Sequence, residues 1–286
     1  MSKIVVGIPV YNGSDYIRDA LKSLQKQTFQ DFSVLISDNC STDNTREICN
    51  KFVNNDHRFS YIRHDNNLGA EDNYKYILNQ VNSEFFMFLG HDDSLSENFL
   101  EVCLSYMDSN ADTSIVSGVP LYYSDKNLKS SGVIHNHCQK YAGLRLMEYY
   151  YKVKDNGIFY GLMRMTMVSK KKYSGDFSGD HYWIADIISQ GKSRVVRECN
   201  VHRQLGIASS KHGSNISTSL IINQANIYVS QVYYSSMKML KVGTIRILSM
   251  VGIFIIVISR MYFKRLLGIK QFQLRKWVRN KITFTN

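Results

Sequence analysis

Phe85–Asp93 reads FFMFLGHDD: five apolar residues, a glycine, a histidine and two adjacent aspartates. An apolar run this short, set among helical segments, suits a strand buried on both faces of a parallel sheet. Two carboxylates at the carboxyl end of such a strand stand where open α/β sheets bind ligands. Alternation does not turn both Asp92 and Asp93 the same way, so one is expected to face the cleft and the other to cap the next helix. A hard divalent cation bridging a diphosphate needs one or two carboxylates plus phosphate oxygens. A plainer reading also fits. Ser94-Leu95-Ser96-Glu97 has the form of a capping box, and the turn would then only start the next helix. The stretch alone admits both.

Upstream, Lys3–Val10 reads as a first buried strand, with Pro9 at its end, where a missing N–H is tolerated. Tyr11-Asn12-Gly13 is a turn and Ser14 a helix cap. Ile17, Ala20, Leu21 and Leu24 then form one helical stripe. Phe32–Ser37 is a second strand, followed by Asp38-Asn39-Cys40-Ser41-Thr42-Asp43; Asn44 with Glu47 caps the next helix. Arg58–Arg63 is a third strand and Asp65–Gly69 a loop. Tyr74, Ile77, Leu78 and Val81 stripe the helix before FFMFLGHDD, and Phe99, Val102, Cys103 and Tyr106 the one after it. Strand and helix alternate four times, which predicts an α/β fold with a doubly wound, mostly parallel sheet.

Downstream, Ser114–Tyr123 reads as strand, Leu144–Tyr151 as helix and Ile158–Val168 as a buried strand, with Tyr160-Gly161 bordering a second substrate. Asp176 and Asp180 precede a helix carrying Ile184, Ile187 and Ile188 and closed by Gly191; Asp180 has a plain reading as its N-cap. No GxGxxG is present, which argues against a dehydrogenase-type dinucleotide fold. Gly191-Lys192-Ser193 fails as a phosphate loop, because the required earlier glycine falls at Asp186.

Charge divides the 286 residues. Twelve of the 35 Lys and Arg lie in 211–286, which has no Asp or Glu, leaving 23 basic against 24 acidic residues before it. Ser219–Leu240 reads as a helix. Ile247–Ser259 is an uncharged run of 13, short of the roughly 20 that span a bilayer. A helix lying in the membrane interface suits it, with Lys264, Arg265, Lys270, Arg275, Lys276 and Arg279 meeting lipid phosphates and Tyr262, Phe263 and Trp277 in the interfacial belt. Packing of that run on the core is the competing reading. Basic residues mixed with large aliphatics argue against nucleic acid as the partner. The opening MSKIVVGIPV leads straight into strand, with no signal peptide expected, and five scattered cysteines without a CxxC pair suit a reducing cytosol. The division expected is 1–215 as one α/β domain, its halves 1–110 and 111–215, and 216–286 as a helical, basic, membrane-associating region.

In a doubly wound sheet the carboxyl ends carrying Tyr11-Asn12, Asp38-Asn39 and Asp92-Asp93 converge on one crevice. A carboxylate there accepts from a nucleobase N–H or a ribose hydroxyl, and a tyrosine ring stacks on a base.

Ile8–Thr45, IPVYNGSDYIRDALKSLQKQTFQDFSVLISDNCSTDNT, resembles the opening of the family 2 glycosyltransferases of the GT-A fold, of the kind that build bacterial surface polysaccharides. Asn66–Asp93, NNLGAEDNYKYILNQVNSEFFMFLGHDD, resembles the same family's middle segment up to its metal-binding DxD motif. The resemblance covers roughly residues 3–110. It implies an inverting transfer of a sugar from a nucleotide-sugar donor, with Mg²⁺ or Mn²⁺ as cofactor.

By that resemblance Pro9 and Tyr11 line the base pocket, Asp38 reads the base and Asp92, the last residue of DxD, holds the metal. Gly90 replaces the first DxD aspartate and His91 is its middle residue. Asn39 replaces a commoner second aspartate, and Asp72 precedes Asn73 where relatives often have arginine. Asn12, Asn39, Asn67, Gly69, Asn73 and His91 complete the expected donor site. Asp180 matches the family's catalytic base, with Gly179 in place of the preceding acid. Val201–Gly206 matches the segment after the catalytic helix, and puts Arg203 on the donor phosphates.

The acceptor expected is a saccharide, polyprenyl-linked, met at the inner face of the membrane by a cytoplasmic, peripheral enzyme. Two other classes stay open: a metal-dependent nucleotidyltransferase, and a non-catalytic sugar-nucleotide-binding subunit suggested by the loss of the first DxD carboxylate.

Overall fold

The computed structural model describes residues 2–124, 127–132, 134–152, 157–170, 173 and 179–205. The basic region 216–286, with the 247–259 run, lies outside the described residues, as do Asp176 and Gly206. No helix among the described residues is long and apolar enough to cross a membrane.

The strands are β1 (Ile4–Val10), β2 (Phe32–Asp38), β3 (Phe59–Arg63), β4 (Phe85–Phe88), β5 (Ser94–Leu95), β6 (Thr113–Ser124), β7 (Asn127–Ser131), β8 (Leu162–Arg164) and β9 (Lys192–Gln204). The helices are α1 (Ile17–Gln25), α2 (Thr45–Asn55), α3 (Ala70–Gln80), α4 (Phe99–Ser109), α5 (Ala142–Lys152) and α6 (Gly179–Gln190). The strands form one sheet in the order β3-β2-β1-β4-β8-β6-β9-β5, with β7 on β6. β1 to β4 are mutually parallel, and β8 joins antiparallel to both β4 and β6. The sheet is therefore continuous across the two expected halves.

Alternation along the strands sorts the core into two layers. Ile4, Val6, Ile8, Phe85, Met87 and Leu89 pack with the stripes of α1, α2 and α4. Phe86 and Phe88 face the other way, onto α3, α5 and α6. All of these strand residues are fully or almost fully buried, which is why β1 and β4 read as unbroken apolar runs. Burial on both faces leaves only the strand ends and their loops for chemistry.

Four sequence expectations are corrected. Ile158–Val168 is not one strand: it is a 3₁₀ turn, the three residues of β8 and a second 3₁₀ turn. Gly161 marks the break, because a Cβ there would stand 2.8 Å from the Val116 carbonyl oxygen. Ser14 does not cap α1, which starts at Ile17 without a side-chain cap; the Ser14 N–H donates to Asp43 instead. Asn44 precedes α2 but makes no capping bond. Ser94-Leu95 is strand rather than a capping box: β5 pairs antiparallel with β9, and α4 begins four residues later.

Candidate functional site

The register of the parallel strands brings the expected loops together. Val10 stands opposite Asp38, and Phe88 opposite Gly7, so the loops after β1, β2 and β4 leave the same edge of the sheet. Tyr11, at the tip of β1, is 46% exposed, an aromatic ring free to stack. Pro9 is buried inside β1.

The first two loops are laced to each other. Asn12 takes a left-handed conformation, φ 48°. Its side-chain oxygen accepts from the Thr42 N–H at 2.9 Å, its N–H donates to Ser41, and the Gly13 N–H donates to Thr45. Asp38 is 0% exposed. One oxygen accepts from the Ser41 N–H at 2.9 Å and the Ser41 hydroxyl at 2.5 Å; the other accepts from the Tyr61 hydroxyl at 2.5 Å. The family resemblance assigns Asp38 to the base. Its carboxylate is held in place by its own loop and by Tyr61 of β3.

The neighbouring Asn39 links outward. Its oxygen accepts from the Leu68 N–H at 2.7 Å and its amide donates to Asn67 at 2.8 Å and to the Gly69 carbonyl at 3.1 Å. Gly69 needs its lack of a side chain here: at φ 85° it turns the chain into α3. Asn73, buried in the first turns of α3, donates to the Ser37 carbonyl and accepts from the Ser37 hydroxyl, pinning α3 to the end of β2. Asn39, Asn67, Gly69 and Asn73 thus form one polar frame behind the crevice.

The turn after β4 presents two carboxylates in different settings. Asp92 is half-buried and, among the described residues, has no hydrogen-bond partner. Asp93 is 3% exposed; one oxygen accepts from the Gln204 N–H at 3.1 Å and the other stands 3.5 Å from Nε of Arg203. Burial pushes the Asp93 carboxyl up to about 7, the Arg203 guanidinium opposing this and the Asp92 carboxylate adding to it. Neither aspartate caps α4, so the cap expected of one of them is not found. Both lean over Gly90, where a Cβ would meet Asp92 at 2.9 Å and Asp93 at 2.8 Å. His91 lies against Gly13 and donates to the Pro9 carbonyl; burial lowers its pKa. It ties the first and fourth strand ends together.

Arg203 arrives from β9, at the far side of the turn. Its guanidinium lies 4.6 Å from the Tyr160 ring centroid and 5.7 Å from that of Tyr122. Burial works against its charge, but Tyr160 and Asp93 hold it protonated. Tyr160 and Tyr74 hydrogen-bond through their hydroxyls, both within the field of Asp92 and Asp93, and burial raises the pKa of each. Tyr74 stacks on Tyr173, ring centroids 5.7 Å apart. Tyr173 in turn feels the charge of Asp180, which opens α6. What the sequence does not reveal is that Asp93 pairs with Arg203 and Gln204, and that Tyr74, which reads as a core position, hydrogen-bonds Tyr160 beside them.

A carboxylate with no hydrogen-bond partner among the described residues fits a hard cation whose other ligands are phosphate oxygens. Among the described residues no group of three His, Cys, Asp or Glu could hold a metal unaided. A site completed by a diphosphate is what Asp92 suits.

The family model described as "Glycosyl transferase family 2" matches residues 5–173. A Campylobacter jejuni protein, "GalNAc(5)-diNAcBac-PP-undecaprenol beta-1,3-glucosyltransferase", is 26% identical over 181 residues. The match covers 63% of this chain, which spans 57% of that protein's length. Among solved structures, Staphylococcus aureus TarS 1–349 in complex with UDP-GlcNAc superposes with a TM-score of 0.71 at 16% identity, over 97% of this chain and 79% of that one. A mannosyltransferase from Pyrobaculum calidifontis in complex with GDP-Man and Mn²⁺ gives 0.56 at 11% identity, over 96% of this chain and 83% of that one. At those identities the likeness is one of fold.

Proposed function

Since the chain belongs to glycosyl transferase family 2, we propose that it moves a sugar from a nucleotide-sugar donor to a saccharide acceptor in the assembly of a bacterial surface polysaccharide. The observation that carries this reading is the edge shared by an exposed Tyr11 ring, an Asp92 carboxylate without a hydrogen-bond partner among the described residues, and the cationic Arg203. A base, a cation-bound diphosphate and a phosphate contact are the three needs of such a donor.

Asp92 and the donor's phosphate oxygens would hold Mg²⁺ or Mn²⁺, which when bound supplies positive charge to the departing diphosphate. Tyr11 stacks on the base, within the frame of Asn39, Asn67 and Gly69. Asp180 takes the proton of the acceptor hydroxyl. A base on the acceptor side, with the nucleotide leaving from the other face, gives inversion at the anomeric carbon. The Mn²⁺ in the Pyrobaculum mannosyltransferase complex supports the cation.

The acceptor we infer is linked to a polyprenyl diphosphate, the kind of acceptor that the Campylobacter relative's name specifies. The basic, aliphatic region 216–286 would bring the protein to the membrane face where such acceptors lie. Deleting residues 244–286 is expected to release the protein from membranes and lower turnover on lipid-linked acceptor. Full activity and unchanged membrane association of the truncated protein would refute that assignment.

The deciding experiment is a titration with UDP, GDP, CDP and dTDP in Mn²⁺, with and without EDTA, on wild type and Asp92→Ala. Selective binding that needs the metal and is lost in the variant is the expected result. Asp180→Asn should still bind donor while transfer falls at least about a hundredfold. Gly90, in place of a carboxylate, favours one other reading, a sugar-nucleotide-binding subunit without catalysis. Donor binding by wild type with no transfer to any acceptor would select it.

A further inference from the structure

Asp93 is buried and adjacent to Asp92, yet it points into protein. The turn that holds both aspartates runs directly into β5, and β5 pairs with β9 so that Ser94 faces His202 and Leu95 faces Val201. Arg203 is the next residue of β9. Pairing over these two residues stitches the Asp92 turn to the strand end that carries Arg203, more than a hundred positions later in the chain.

Asp93 completes the stitch on both sides of that arginine. Its one oxygen accepts from the Gln204 N–H and its other faces Nε of Arg203. The face of the guanidinium rests on the Tyr160 ring. A guanidinium has five donors in a rigid fork. Here the Nε side faces the carboxylate, and 24% of the side chain remains exposed.

A buried carboxylate beside a diphosphate site is unfavourable unless it is neutralised. Arg203 does that, and Asp93 in exchange fixes where the guanidinium lies. Its 3% exposure sets it apart from Asp92, whose carboxylate is open to a cation.

Resting on the donor site proposed above, we propose that Asp93 is a positioning residue and not a metal ligand. It holds Arg203 in register with the Asp92 turn, so that guanidinium and cation site meet the donor's diphosphate together. The consequence is specific. Asp93 should matter for the second phosphate of the nucleotide and not for its base or first phosphate.

The test measures calorimetric affinities, in Mn²⁺, for whichever of UDP, GDP, CDP and dTDP binds and for the matching monophosphate. Asp93→Asn keeps the acceptor for the Gln204 N–H and loses the charge. It should weaken diphosphate binding about tenfold, because the 3.5 Å ion pair that places Arg203 is lost, and leave monophosphate and Mn²⁺ affinities unchanged. Arg203→Met should weaken diphosphate binding further, because it strands a buried carboxylate next to the ligand. Adding Asp93→Asn to Arg203→Met should then recover part of that loss.

Losses that simply add overturn the proposal, since they mean the two side chains act separately. So does an equal loss for mono- and diphosphate, or loss of Mn²⁺ dependence in Asp93→Asn, which would make Asp93 a ligand. Should Asp93→Asn fail to fold, Asp93→Glu takes its place in the same cycle: a change in diphosphate affinity that differs between the wild-type and Arg203→Met backgrounds supports the coupling, and an equal change in both refutes it. Wild type that binds no nucleoside diphosphate would overturn the donor site itself, an outcome distinct from intact wild-type binding with uncoupled variants.

Discussion

The Tyr61 hydroxyl donates to Asp38 at 2.5 Å across the β2–β3 pair, and the other Asp38 oxygen is held by Ser41. These bonds fix the Asp38 side chain at the end of β2. Tyr61→Phe should destabilise the protein by about 1–2 kcal/mol, the cost of leaving one buried acceptor oxygen unpaired. Urea unfolding measures this. Affinity of the folded variant for nucleoside diphosphate should stay within about twofold of wild type, because the lost bond lies behind the loop. A selective loss of affinity with no loss of stability would return Asp38 to the base.

By the family resemblance Gly90 stands at the first DxD position, and a side chain there would meet the ends of two carboxylates. A Cβ would come within 2.9 Å of Asp92 and 2.8 Å of Asp93. Gly90→Asp should therefore not improve the site. It would push both carboxylates aside and place a third negative charge among them. Metal-dependent nucleotide binding should fall about tenfold or more in Gly90→Ala, with a further loss in Gly90→Asp. Tighter binding by Gly90→Asp than by wild type would show that the turn opens freely to accept the family's residue.

How much of the molecule is legible in the sequence depends on how far apart the partners lie. The stripe Ile17, Ala20, Leu21, Leu24 is buried residue for residue, because amphipathic spacing is a local property of α1. β1 and β4 are legible as apolar runs for the same reason. β9 is not: KSRVVRECNVHRQ carries several charges, and its strand character comes from β6 on one side and β5 on the other. Asp93 shows the same limit at a single residue. Its neighbours in sequence suggest a cap, whereas its partners, Arg203 and Gln204, come from the end of that unrecognised strand.

Arg145 provides a stability prediction of a different kind. It is buried in α5 and, among the described residues, spends its guanidinium on main-chain oxygens: Ile188 and Ser189 at 2.8 Å each, with Gln139 and Lys140 at 2.8 and 3.0 Å. Ile188 and Ser189 lie in the last turn of α6, where unpaired carbonyls and the helix dipole favour a cation. Arg145→Lys keeps the charge but cannot reproduce a fork that serves four carbonyls. It should cost about 2 kcal/mol in urea unfolding, and Arg145→Met about 3 kcal/mol or more. Because α6 carries Asp180 at its other end, both variants should also lower transfer more than they lower donor affinity.

Asp56 and Arg58 supply the pH dependence. Arg58 donates to Asp56 through Nε at 2.9 Å and Nη2 at 2.6 Å, its N–H adds a third bond at 3.1 Å, and both side chains are largely buried. These bonds, the Arg58 side chain first, hold the Asp56 carboxyl below its ordinary 3.8 despite burial. A carboxyl depressed in the folded state releases its proton more readily there than in the unfolded chain. The stabilisation is thus complete above the unfolded value, and it is lost as the pH falls through the lower folded one. Asp56→Asn should cost about 1–2 kcal/mol at neutral pH, where the pair is bidentate and shielded. That difference from wild type should shrink below about pH 4 and vanish once the carboxyl is protonated in both states. Unfolding curves of the two proteins taken stepwise from neutral to acid pH measure it. A difference that stayed constant through the acid range would mean that Asp56 contributes by shape and hydrogen bonding alone, with no part for its charge.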